Sequence, residues 1–280
     1  MDGIILLNKD KGMTSRDLVN IVCKKLNTKK VGHTGTLDPI ATGLMVLCIG
    51  EGLKLVELLT NHDKNYIAKV KIGIKTDTYD ITGKIIEENN NYNLNKERLL
   101  NVLESFNGEY EQEVPIYSSI KVNGKKLYEY AREGKAVELP KHLVKISNMK
   151  LIDLNNDSFT FSVTVSSGTY IRSLINDISS KLNIPMTMEE LQRTRVGNYK
   201  LEDITDLENI KIIPIIESLD IKKIEVDDIL FKKISNGMKI TNNYNEKMIM
   251  FTKNNIPIAI YKDYDGVLKS YRGFNIKKVV

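Results

Sequence analysis

SFTFSVTVSSGTYIRSLINDISSKL, residues 158–182, changes hydrophobic period halfway along. Phe159, Phe161, Val163 and Val165 alternate with Ser158, Thr160, Ser162 and Thr164, the period of two that puts apolar side chains on one face of a strand. The run stops at Ser166-Ser167-Gly168-Thr169, and Leu174, Ile175, Ile178 and Leu182 then recur at helical spacing. Upstream, residues 66–74 alternate around Tyr66, Ala68, Val70, Ile72 and Ile74 with Lys69 and Lys71 opposite, a second half-buried strand. Gly43 to Gly50 is nearly all apolar and reads as a buried strand. Residues 87–95, EENNNYNLN, form a polar loop before a helix with Leu99, Val102, Leu103 and Phe106 on one stripe. Near the N-terminus Thr14-Ser15, with Asp17 three residues after Thr14, can cap a helix carrying Leu18, Ile21, Val22 and Leu26. Strands and helices thus follow one another without a βαβ rhythm, which favours an α+β layer over a doubly wound parallel sheet.

The chain has 280 residues, 41% of them hydrophobic and 28% charged, enough for a packed core and too apolar for a disordered or fibrous protein. The longest apolar stretch falls short of the roughly 20 residues a membrane helix needs. The N-terminus lacks a basic region, and its apolar run ends at Asn8, so a cytoplasmic location is expected. Cys23 and Cys48 lie in apolar surroundings without metal-ligand spacing and read as core thiols.

Charge is uneven. Residues 221–280 carry 12 Lys plus Arg against 6 Asp plus Glu, whereas the first 220 residues are nearly balanced. Short apolar runs there (Ile229 to Phe231, Met248 to Phe251, Ile256 to Tyr261) are separated by Asn236-Gly237, Asn242-Asn243, Asn254-Asn255 and Asp265-Gly266, the punctuation of a small β module. A basic module suits a polyanion; a Lys- and Asn-rich chain can also show such an excess from coding bias. The division expected is 1–222 and 223–280.

Three segments can carry chemistry. Gly32-His33-Thr34-Gly35-Thr36-Leu37-Asp38-Pro39-Ile40-Ala41-Thr42-Gly43 surrounds a His and an Asp with glycines, and Pro39 presents Asp38 on a stiff, extended backbone. An Asp before Pro is equally the signature of a helix N-cap, and His33 can be an ordinary loop residue. Tyr170 and Arg172 follow the end of the strongest strand, where functional side chains often lie; a sheet-edge Tyr and a surface ion pair explain them as well. Asp63-Lys64-Asn65-Tyr66 enters a strand, and Tyr66 alone is an unremarkable interfacial tyrosine.

Together these segments resemble the bacterial TruB family of tRNA pseudouridine-55 synthases along nearly the whole chain. The resemblance rests on Gly3 to Lys9, Gly12-Met13-Thr14-Ser15, Gly32 to Pro39, Lys64-Asn65-Tyr66 and Lys75-Thr76-Asp77-Thr78-Tyr79-Asp80-Ile81-Thr82-Gly83. It continues through Val114 to Gly124, Leu127 to Arg132, Ser167 to Arg172 and Leu191 to Gly197. Asp10, Val114, Ser119 and Tyr199 depart from the family pattern.

The resemblance implies a pseudouridine synthase fold with a mixed, mainly antiparallel sheet flanked by helices, followed by a PUA-like RNA-binding module. It implies isomerisation of a uridine that is flipped out of the tRNA T-loop. Asp38 matches the catalytic aspartate, Arg172 its ion-pair partner, and Tyr66 the tyrosine that stacks on the target base. Tyr170 and Leu191 would wall the pocket, and His33 would occupy the space the base leaves. No cofactor, metal, membrane or guide RNA is expected, and the active form is expected to be a monomer on tRNA. A role in RNA folding beside catalysis, or action on another RNA, fits the same residues.

Overall fold

The computed structural model describes residues 1–275. The chain opens with β1 (Gly3–Lys9) and α1 (Ser15–Lys25), then β2 (Val31–His33) and β3 (Thr42–Ile49). The short helix α2 (Val56–Thr60) leads to β4 (Lys64–Ile72), the hairpin of β5 (Ile74–Thr76) and β6 (Ile85–Glu88), and α3 (Lys96–Glu104). After β7 (Gly108–Glu113), the short strands β8 (Lys121–Val122) and β9 (Lys125–Lys126) and helix α4 (Leu127–Arg132) precede the long β10 (Lys141–Leu154). β11 (Ser158–Val165), α5 (Ile171–Leu182) and β12 (Met186–Val196) follow, then the two-residue β13 (Tyr199–Lys200) and β14 (Ile213–Pro214). The last part comprises β15 (Lys222–Glu225), α6 (Asp228–Ser235), β16 (Ile240–Thr241), β17 (Met248–Lys253), β18 (Ile256–Tyr264) and β19 (Val267–Gly273).

The large sheet runs β14-β1-β3-β12-β4-β11-β10-β7, with β2 beside β3 and β13 beside β12. Among the described residues of this sheet only β3 and β12 pair in parallel; it is the mixed, mainly antiparallel sheet expected. β3 is apolar from Gly43 onward because both its faces are covered. Met45, Leu47 and Ile49 join the core shared with α1, α3 and α5, while Leu44, Val46 and Cys48 join a second core with Ile215, Leu219, Met250, Ile260 and Phe274. That second core glues the C-terminal sheet, ordered β15-β17-β18-β19-β16, onto the back of the large one.

Local signals act as read at most ends. Thr14 and Asp17 form a capping box on α1, although the buried face is Leu18, Val19 and Val22, and Ile21 is exposed. β4 buries Lys64, Tyr66, Ala68, Val70 and Ile72; Gly73, at φ +94°, then ends it, so Ile74 belongs to a separate hairpin. That hairpin takes Glu87 and Glu88 as partners of Lys75 and Ile74, and the polar loop therefore starts at Asn89. Asn254-Asn255 and Asp265-Gly266 all adopt positive φ and close the β17–β18 and β18–β19 hairpins, as two-residue turns between twisted strands require. Ile229 to Phe231 is not a strand: Asp227 accepts the Leu230 N–H at 2.7 Å and starts α6, and Asn236-Gly237 ends that helix. A three-residue apolar run has no period of its own, and the cap decides it.

Candidate active site

Asp38 lies on the loop between β2 and β3, Tyr66 on β4, Leu191 on β12, and Tyr170 and Arg172 at the start of α5. All five line one cleft of about 240 Å³, below the roughly 300–1,000 Å³ of drug-sized pockets and suited to a single base. A larger cavity, about 690 Å³ between the two sheets beside Met1, Ile215 and Phe274, contains none of them.

At the floor of the cleft Arg172 grips Asp38 side-on, Nε to Oδ2 at 2.9 Å and Nη2 to Oδ1 at 3.2 Å. The guanidinium is nearly buried, 7% exposed, while the carboxylate keeps 32% exposure toward the cleft. Arg172 also donates Nη1 to the Thr78 carbonyl and Nη2 to the Tyr117 carbonyl, both at 3.1 Å. Four hydrogen bonds leave the guanidinium little freedom, and its two bonds to Asp38 orient both carboxylate oxygens. Asp38 does not cap a helix; its carbonyl accepts the Ala41 N–H in a tight turn.

The loop's stiffness comes from elsewhere than its glycines. Of Gly32, Gly35 and Gly43, only Gly43 has a positive φ, +106°, where a side chain would strike the backbone of Arg193 on β12. The loop is instead tied from behind. Lys9, fully buried, donates its ammonium to the carbonyls of Asp10 (3.0 Å), Met13 (2.7 Å) and Pro39 (3.4 Å). Arg193, 1% exposed, donates to the Leu44 carbonyl at 2.8 Å and the Gly35 carbonyl at 3.2 Å. The Leu37 N–H bonds the Ser15 hydroxyl at 2.8 Å. Burial holds the Lys9 ammonium below its usual range, against the pull of Asp38 and Asp10.

Aromatic faces wall the cleft: Tyr66 and Tyr170, and also Tyr117 and Tyr128 from the segment between β7 and β10. Burial raises the Tyr170 phenol above its ordinary value, so it stays protonated. Asp80 accepts from Thr78 Oγ1 and the Thr82 N–H, both at 3.0 Å, and so shapes the turn whose Thr78 carbonyl meets Arg172. His33 stands outside the walls of the cleft, at the end of β2; its Nδ1 is buried without a partner among the described residues. Burial, with the nearby Arg16 and Arg193 cations, lowers its pKa and favours neutral imidazole. No group of three or more His, Cys, Asp and Glu side chains is placed to hold a metal among the described residues.

Tyr117, Tyr128, Lys9 and Arg193 were not singled out from the sequence. Lys9 had a signal: it continues the inward alternation of Ile5 and Leu7 on β1, where a charged residue is out of place.

An oriented carboxylate in a small aromatic-walled cleft can attack or deprotonate a flat ring held against those faces. Solved structures support such a fold. A chain in the structure of an H/ACA ribonucleoprotein bound to a substrate RNA containing 2′-deoxyuridine superposes with a TM-score of 0.72 at 20% identity, covering 98% of this chain and 85% of that one. The model of the TruB family pseudouridylate synthase N-terminal domain matches residues 23–171. A tRNA pseudouridine synthase B of Mesoplasma florum is 42% identical over 281 residues, 97% of each chain. One from Clostridium tetani is 38% identical over 291 residues, the whole of both. The chain belongs to the TruB family of pseudouridylate synthases, and its large sheet has the pseudouridine synthase fold.

Proposed function

We propose that this protein isomerises uridine to pseudouridine at position 55 in the T-loop of tRNA, as a monomer, without cofactor or guide RNA, in the cytoplasm. The observation that carries the reading is the two-pronged Asp38–Arg172 pair at the floor of a tyrosine-walled cleft, in a chain that its tRNA-modifying relatives match end to end. In this reaction the C1′–N1 bond breaks, a C1′–C5 bond forms, C5 loses a proton and N1 gains one. No net oxidation or group transfer occurs.

The family resemblance suggests the roles, and the geometry is compatible with them. Asp38, held by Arg172, acts as nucleophile or base on the flipped nucleotide. Tyr66 stacks on the base and is the candidate for moving a sugar proton, while Tyr170 and Leu191 shield the detached ring from water. Flipping costs a few kcal/mol of unstacking. His33, neutral and with a free buried nitrogen, is suited to stack in the space the base leaves. Residues 1–222 form the synthase domain and 223–280 a PUA-like module that binds phosphates; Lys277 and Lys278, part of its basic excess, lie outside the described residues. Among the described residues no helix is long and apolar enough to cross a membrane.

Incubating the pure protein with unmodified tRNA and mapping pseudouridine by carbodiimide labelling tests reaction and position together. One pseudouridine at position 55, with nothing added, is the expected product. No conversion, or conversion only elsewhere, would overturn the proposal.

A further inference from the structure

α5 begins without help from its own sequence. α1, α3 and α6 are capped by Thr14, Asn95 and Asp227, but Tyr170, at the N-cap of α5, makes no side-chain cap. In α1 the residue three positions on, Asp17, reaches back to the N-cap N–H at 2.9 Å. The matching residue in α5 is Ser173, and its hydroxyl is turned away, to the Glu113 carbonyl on β7 at 2.8 Å.

Gln112, also on β7 and 1% exposed, takes that place. Its Oε1 accepts the Tyr170 N–H at 2.7 Å, and its Nε2 donates to the Tyr170 carbonyl at 3.1 Å. An N–H on one side and a carbonyl on the other leave only one way round for the amide. Nε2 also donates to the Tyr110 hydroxyl at 2.7 Å, and that hydroxyl donates to Asp177 Oδ2 at 3.3 Å. Burial pushes the Asp177 carboxyl up to about 6; above that it is an acceptor only, so Tyr110 donates to it and keeps a lone pair for Gln112. Tyr170 and Asp177 lie on the same helix. The chain of hydrogen bonds leaves α5 at its first turn, crosses two side chains of β7 and returns two turns later. Arg172 sits between the two tethered positions, 170 and 173.

We propose that Gln112 is a positioning residue for the Asp38–Arg172 pair, setting where α5 starts and so where the guanidinium meets the carboxylate. The inference rests on the cleft being the site of pseudouridine formation. Asparagine, one methylene shorter, would not reach the Tyr170 N–H and carbonyl, and methionine fills the volume without either bond.

Gln112→Met, assayed at pH 8 on a T-arm RNA hairpin under single-turnover conditions, is expected to lose about 10–100-fold in rate, the scale of a misplacement near 1 Å. RNA affinity should stay within about threefold, because the Gln112 side chain is itself buried, away from the cleft lining. A rate within about twofold of the parent, or a loss that only follows the unfolded fraction seen by circular dichroism, would overturn the proposal. Should Gln112→Met not fold, Tyr110→Phe removes the one hydroxyl that locks Nε2. It is expected to slow turnover several-fold at unchanged affinity, and a parental rate there would equally overturn it. The parent's own turnover separates the two readings: an inactive parent refutes the site, whereas an active parent with an equally active Gln112→Met refutes only the role of Gln112.

Discussion

The loop that carries Asp38 is secured from behind by two fully buried cations, Lys9 and Arg193, whereas the segment facing it across the cleft is braced by partly exposed pairs such as Lys125 with Glu133. The buried Lys9 ammonium cannot let go of its three carbonyls without losing the bonds that offset its own desolvation. The partly exposed pair exchanges its partner for water at almost no cost. Both walls supply aromatic faces and Arg172 bonds to both, but only the Asp38 loop is tied by two further buried cations. The difference teaches where accuracy is needed: the carboxylate must be placed to a fraction of an ångström, while a stacking surface tolerates sliding.

The sharpest test of the locked wall is its reactive group. Asp38→Asn keeps the shape and removes the charge, and single-turnover pseudouridine formation should fall by at least about 10³-fold with T-arm affinity retained. Turnover close to the parent's would take Asp38 out of the chemistry. Arg172→Ala should cost about 10²–10³-fold in rate and lower the melting midpoint as well, since Asp38 and the Thr78 and Tyr117 carbonyls all lose a donor. Unchanged activity there would separate the ion pair from catalysis.

Arg193→Met probes the support rather than the chemistry. Urea unfolding should show a loss of about 3 kcal/mol, because the buried Leu44 carbonyl and the half-buried Gly35 carbonyl both lose their donor. A pH signature comes from Lys64, whose ammonium donates to the Thr60 and His62 carbonyls beside the loop. Burial, reinforced by Arg193 and opposed by Asp63, pulls it down from 10.5 to about 8. Between pH 8 and 10.5 the unfolded chain holds a proton that the folded chain has released, so this group's contribution to stability rises with pH in that window. Relative to Lys64→Met, the parent should gain about 3 kcal/mol across it, and a flat difference would refute the shift. The smallest effect belongs to the other wall. Lys125→Ala should change stability by less than about 0.5 kcal/mol, and a cost equal to that of Arg193→Met would erase the contrast between the walls.

Much of the fold was legible because its signals are local. Alternation along Ser158–Val165, the helical spacing after Ser173 and the Thr14–Asp17 box depend only on neighbours in the chain. Ile229 to Phe231 was misleading because three apolar residues fit either period, and the glycines around Asp38 suggested a loop shaped by special φ values that only Gly43 shows. The candidate acid, its arginine, Tyr66 and Tyr170 were visible as residue types in marked segments. Lys9 showed only as a charge on an apolar strand face, and Arg193 and Gln112 not at all, because their partners are mainly backbone carbonyls and N–H groups, which every residue has.

By itself the amino-acid sequence determined the periods of the strands and helices, the turns with positive φ, the membership of the family and the identity of the ionic groups. Only the tertiary structure decided that Asp38 meets Arg172 across 134 residues, that His33 stands outside the cleft, and that β7 rather than α5 itself supplies the cap of α5. Period and capping are set by steric and hydrogen-bonding terms among near neighbours. The meeting of two distant ions depends on the parallel pairing of β3 with β12 and on cores filled from both faces of one strand, which are sums over the whole chain.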